Sequence, residues 1–85
     1  MIDKISVYIM FPALNVEHNF MIPLDMNIRT AIDMISKLIS EEYRGVKFSS
    51  EGKNRLVQTF TGKVLPDTCS FRQLDLAQGE KLIFM

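Results

Sequence analysis

Apolar and polar residues alternate with a period of two from Ile5 to Phe11. Ile5, Val7, Ile9 and Phe11 share one face of an extended chain, and Ser6, Tyr8 and Met10 share the other. β-Branched and aromatic residues dominate, so the segment predicts a strand. Pro12-Ala13-Leu14-Asn15 interrupts it with turn-forming residues. The alternation then resumes, with Val16, His18, Phe20 and Ile22 on one face and Glu17, Asn19 and Met21 on the other. Two alternating runs joined by so short a break predict a hairpin.

The period changes beyond the next break, residues 23–27. Ile28, Ala31, Ile32, Ile35, Leu38 and Ile39 recur at helical spacing and form one apolar stripe, with Arg29, Asp33, Ser36, Lys37 and Ser40 opposite. Asn27 stands where a side-chain oxygen would cap the first turn. The helix is expected to end near Glu42–Tyr43, and Glu41 and Glu42 oppose the helix dipole there, which predicts fraying. Residues 46–54 are polar and predict an exposed loop, with a short extended piece at 46–48. Residues 56–61 predict a third long strand, which Gly62-Lys63 turns into a short one over 63–65. Ser70 to Leu74 reads as a single helical turn anchored by Phe71, Leu74 and Leu76. Gln78-Gly79-Glu80 then leads into a last strand over residues 81–85.

This order, ββαββ with a short additional strand, matches an α+β fold of the β-grasp type. One helix would pack on one face of a mixed sheet of four or five strands, within a single domain spanning residues 1–85. The helix supplies the crossover that parallel pairing of the last strand with the first requires.

Composition narrows the function classes. The chain has 85 residues, 47% hydrophobic and 24% charged, which suits one folded domain and excludes disorder. Ten Lys and Arg balance ten Asp and Glu, which argues against a broad electrostatic grip on nucleic acid or anionic lipid and leaves a local patch open. Cys69 is the single cysteine, so no disulfide within the chain is available. Residues 1–5 lack the basic-then-apolar order of a signal peptide, and no apolar run approaches the roughly 18–20 residues that span a bilayer. The expectation is a soluble, cytoplasmic protein with no direct membrane insertion.

Candidate chemistry is sparse. His18 and Cys69 are the sole members of their kinds, and a nucleophile–base pair would need them adjacent, which their elements give no reason to expect. One His and one Cys fall short of a zinc ligand set, and neither Glu41-Glu42 nor Asp33 completes one. No glycine-rich phosphate cradle occurs. Lys47, Lys53 and Arg55 approach a basic cluster but Glu51 interrupts them, so a solvated loop is the simpler reading. Met21, Met26 and Met34 are expected to fill the core edge at the hairpin–helix corner. The sequence thus predicts no enzyme, no cofactor, no metal and no nucleic-acid partner.

A resemblance sharpens this picture. Thr61-Gly62-Lys63-Val64-Leu65-Pro66-Asp67, continuing through Phe71-Arg72-Gln73-Leu74-Asp75-Leu76 to Gly79-Glu80-Lys81-Leu82, resembles the C-terminal half of ubiquitin without gaps. There ubiquitin has Ala-Gly-Lys-x-Leu-x-Asp, a Leu-Ser-Asp-Tyr-x-Ile turn and a final leucine-bearing strand. The first hairpin and the helix agree in pattern more than in identity. Conjugated ubiquitin-like proteins and sulfur carriers end in a Gly-Gly tail, whereas this sequence stops at Met85, so neither activity is carried over. Gly79-Glu80-Lys81-Leu82-Ile83-Phe84-Met85 is similar to the ending of the YukD/EsaB family, small ubiquitin-like proteins of Gram-positive type VII secretion systems. The resemblance implies an accessory or regulatory, non-catalytic interaction module whose partner is a larger protein, such as a membrane-bound secretion component. The alternatives are a modifier or sulfur-carrier relative and a self-assembling homodimer.

The outer face of the sheet is the candidate site. Strand phase points Tyr8, Met10, Ile83 and Met85 away from the helix. Alignment with ubiquitin adds Val57 and Thr59 outward and sends Leu56, Gln58 and Phe60 inward. Gln58 would then stand where ubiquitin has a core leucine, so either Gln58 is bonded at the core edge or a bulge buries Val57 instead. A continuous apolar area on a face that water normally wets predicts an interaction surface, with Tyr8 as its anchor.

Overall fold

The structure is a computed structural model that describes residues 3–43 and 54–85. β1 (Lys4–Phe11) and β2 (Val16–Pro23) form an antiparallel hairpin with unbroken register from Lys4 opposite Pro23 to Phe11 opposite Val16. Asn15 closes its turn at φ 53°, a left-handed conformation that asparagine tolerates better than most residues. α1 (Ile28–Glu42) crosses the sheet, and β3 (Leu56–Gln58) and β4 (Glu80–Phe84) complete it. The strand order is β2-β1-β4-β3, with β1 and β4 parallel at the centre. This is the α+β, β-grasp fold the sequence predicts, with four strands.

The inner face holds the core. Ile5, Val7, Ile9 and Phe11 alternate into it from β1, and Leu82 and Phe84 enter from β4. Ile28, Ala31, Ile32, Ile35 and Ile39 meet them from α1. Each fully buried aliphatic side chain contributes on the order of 1.5–3 kcal/mol, and in a domain this small that single layer must carry the fold. Leu38, assigned to the same stripe, is 46% exposed. It lies about 100° around the helix from Ile39, at the border of the buried arc.

The start of α1 differs from expectation. Asn27 occupies the N-cap position in extended geometry, but its side chain makes no capping bond. The backbone of the segment before Phe71 takes over that task. Ile28 N–H donates to the Cys69 carbonyl at 2.9 Å and Arg29 N–H to the Asp67 carbonyl at 3.4 Å. That segment is itself fixed by a reciprocal pair, Ser70 N–H to Gln73 Oε1 at 2.8 Å and Gln73 N–H to Ser70 Oγ at 3.2 Å. Ser-x-x-Gln is a capping box, and it organises the single turn that carries buried Phe71.

The third strand is shorter than predicted. It ends at Gln58, and residues 59–61 are a turn rather than the end of a long strand. Gly62 N–H donates to the Gln58 carbonyl and Gln58 N–H to the Lys63 carbonyl, both at 2.8 Å. The Thr61 hydroxyl donates to Gln58 Oε1 at 3.0 Å and accepts from Lys63 N–H at 3.3 Å. Local bonds to Thr and Gln side chains thus compete with the ladder and win. The short strand expected over 63–65 reduces to one bridging pair, Val57 with Val64. The polar loop over 46–54 lies outside the described residues except for Asn54, which is buried.

Candidate interaction surface

Pairing register assembles the outer face from residues far apart in sequence. Side chains opposite one another on neighbouring strands share a face. Glu17 opposes Met10, Met10 lies beside Ile83, Ile83 opposes Val57, and Val57 bridges Val64. Met10, Ile83, Val57 and Val64 therefore form one apolar row across the sheet. A second row runs through Asn19, Tyr8 and Lys81, and Thr59 N–H donates to the Lys81 carbonyl at 3.1 Å. On the other side of the apolar row, Met85 and Arg55 exchange both main-chain bonds, at 2.7 and 2.9 Å. Lys81 and Arg55 thus flank the row, and Glu17 stands at its β2 end.

Exposure differs along the surface. Tyr8 is 40%, Met10 37% and Met85 65% exposed, Ile83 and Val57 are half-buried, and Thr59 is exposed in the turn that follows β3. The structure brings Tyr8, Met10, Val57, Ile83 and Met85 onto one face. Thr59 adjoins them at Lys81 without belonging to a strand. Val57 faces outward opposite Ile83 and no bulge intervenes, while Gln58, beside Leu82, stays half-buried at the core edge with its amide oxygen bonded to Thr61.

Two residues were misread or missed. Phe60, expected inward, is 93% exposed because the turn at Thr59–Gly62 swings it out of strand phase. Gly62 adopts φ 73°, a conformation that favours glycine, and the Thr-Gly pair beside Phe60 was the available turn signal. Val64, 48% exposed, extends the apolar row, and only its pairing with Val57 reveals that.

Catalytic geometry does not assemble at His18 and Cys69. His18 shares a 2.8 Å hydrogen bond with the Tyr43 hydroxyl beyond the C-terminal end of α1, whereas the Cys69 carbonyl meets Ile28 at its start. A helix of 15 residues separates them by about 20 Å. Among the described residues no group of three His, Cys, Asp or Glu is placed to hold a metal ion. Nor is any described helix long and apolar enough to cross a membrane.

The fold is shared with known structures at low sequence identity. Neither a protein-family model nor a curated protein sequence matches this chain. A component of the MycP5-free ESX-5 inner membrane complex, in its state II, superposes with a TM-score of 0.80 at 17% identity, over 99% of this chain and 21% of the other. This chain thus spans about a fifth of that component's length. The EccD5 ubiquitin-like domain from Mycobacterium xenopi gives 0.78 at 18% identity, over 96% of this chain and 92% of that one. A chain of the toluene 4-monooxygenase HD complex gives 0.76 at 14% identity, covering 95% of each. Together they define the class: a ubiquitin-like β-grasp domain, a scaffold that serves unrelated functions.

Proposed function

We propose that this protein is a non-catalytic ubiquitin-like docking module, an accessory or regulatory component of a type VII secretion system. Its outer sheet face would bind a larger protein of that machinery, with the module itself in the cytoplasm. The observation that carries the reading is the apolar row Met10, Ile83, Val57 and Val64, flanked by exposed Tyr8 and Met85. Contiguous apolar surface on a wet sheet face is costly unless a partner covers it. Methionines adapt to a partner's contours, and Tyr8 offers a stiff aromatic anchor with a polar tip. The ubiquitin-like neighbour from EccD5 and the ESX-5 complex support the choice of machinery, as does the YukD/EsaB-like ending.

The test is affinity capture from lysed source cells, membranes included, with wild type and Ile83→Asp in parallel. Wild type is expected to recover a secretion-apparatus component that Ile83→Asp, still folded by circular dichroism, does not. Equal recovery by both would remove the binding site from this face. A concentration-dependent dimer with no recovered partner would replace the docking module with a self-assembling one.

A further inference from the structure

The inward column of β1 stops short of the end of the sheet. Phe11, Ile9, Val7 and Ile5 alternate into the core, and the next residue in that phase is Asp3, which is exposed. The Asp3 carbonyl accepts from Leu24 N–H at 2.9 Å, so the backbone continues beside the end of β2 while the position that would extend the column carries a carboxylate. A cleft of about 350 Å3 opens at this end of the core. Buried Ile5 and Phe71 and half-buried Leu24 and Leu76 line it, together with exposed Arg72, Asp75 and Gln78. Its size suits a small molecule.

The polar lining carries both signs of charge and spare hydrogen-bonding capacity. Asp75 N–H donates to the Arg72 carbonyl at 3.2 Å, closing a turn in which side chains three residues apart lie over one another. Arg72 spends Nε on Asp25 Oδ1 at 2.8 Å, and its two Nη groups donate to no described residue. The Asp75 carboxylate takes part in no hydrogen bond or ion pair with a described residue. Gln78 is fully engaged instead: its side chain bonds Ser6 N–H and the Lys4 carbonyl, which fixes that wall of the cleft against β1. Asp25 and, without a bond, Asp3 already act on the guanidinium, so the carboxylate of Asp75 is the less compensated of the two charges.

These groups select the occupant. An apolar molecule alone would leave both charges facing it. A fatty anion would meet Asp75, and an apolar amine would leave the Arg72 Nη groups unused. We propose that the cleft binds a free apolar α-amino acid, with its ammonium on Asp75, its carboxylate on the Arg72 Nη groups and its side chain against Leu24 and Leu76. None of these residues belongs to the outer-face row, so the cleft can fill whether or not that face is docked.

The test is an amide NMR titration of the isotope-labelled protein with L-leucine and three relatives. 4-Methylpentanoate lacks the ammonium, 3-methylbutylamine lacks the carboxylate, and glycine lacks the side chain. Leucine is expected to shift the amides of Leu24, Arg72, Asp75 and Leu76 with a Kd on the order of 1 mM. Each relative should bind at least about fivefold more weakly, and 4-methylpentanoate more weakly than 3-methylbutylamine because it meets Asp75 unpaired. Asp75→Asn is expected to weaken leucine about fivefold without weakening 4-methylpentanoate. Asparagine tolerates the left-handed φ of 52° at this position, and should the variant not fold, the ligand series on wild type still decides. An absence of shifts at the cleft amides with leucine at tens of millimolar overturns the proposal. So does equal affinity for leucine and 4-methylpentanoate, equal shifts with glycine, or an Asp75→Asn variant that binds leucine as wild type does.

Discussion

The two sides of the sheet solve the same problem with different means. On one side β2 pairs with β1 along eight residues in a single register. On the other, β3 pairs with β4 for three residues and then gives way to a turn built from Gln58, Thr61, Gly62 and Lys63. Both sides send one fully buried aliphatic into the core, Ile22 from β2 and Leu56 from β3. The regular side leaves a continuous main-chain edge, whereas the irregular side presents individual side chains, Phe60 and Val64. Strand length, more than burial, therefore sets which kind of contact each side can offer.

The largest expected effect tests the shared part of that comparison. Ile22→Ala and Leu56→Ala should each cost about 2–5 kcal/mol in chemical denaturation, since both side chains are fully buried. If Leu56→Ala costs under about 1 kcal/mol, the short strand is not anchored as the long one is. Next comes Gly62→Ala. No atom lies within 4 Å of the added Cβ, so the cost is the left-handed backbone alone, about 1–2 kcal/mol. A loss several times larger would mean that the turn cooperates with the core.

Phe60→Ser should change stability by less than about 0.5 kcal/mol, because the ring is 93% exposed. A larger loss in the same chemical denaturation would place the ring against the fold in solution. The smallest effect is electrostatic. Arg72 Nε donates to Asp25 Oδ1 at 2.8 Å, and this hydrogen bond with its accompanying charge holds the Asp25 carboxyl below its ordinary pKa. A depressed folded-state pKa stabilises the fold above the unfolded value, and that contribution is lost as pH falls through the folded one. Asp25→Asn should therefore match wild type at the acid end of a pH–stability profile and fall slightly below it at neutral pH. Identical profiles would show that the exposed pair contributes nothing measurable.

The same contrast explains what the sequence made legible. Strict alternation in β1 and β2 and the 3.6-residue stripe of α1 fix element type, register face and core with little ambiguity. Phe60 resisted because the alignment with ubiquitin carried strand phase through Thr59, whereas bonds among Gln58, Thr61, Gly62 and Lys63 end the strand at Gln58. Asn27 resisted for a related reason: a capping residue is read locally, but the bonds that start α1 come from Asp67 and Cys69, some forty residues away. Of the outer-face set, Tyr8, Met10, Ile83 and Met85 were legible from strand phase, whereas Val57 and Thr59 came from the resemblance to ubiquitin. Val64 joined it only through a cross-strand pair, which no local pattern encodes. Ser-x-x-Gln at Ser70 was a legible signal that went unread.

The parallel central pair gives the domain a direction of mechanical strength. β1 and β4 lie side by side, with Val7 next to Glu80 and Met10 next to Ile83. A pull on the chain before β1 and after β4 draws the two strands past each other along their common axis. All the bonds between them then bear load together and must rupture together. Tension applied across β3 and β4, which are antiparallel, would instead peel them apart one bond at a time. A domain wired in this way resists extension by its ends far better than extension through its β3 side. Tethered into a machine that moves other chains, it would transmit force along its termini before it yielded.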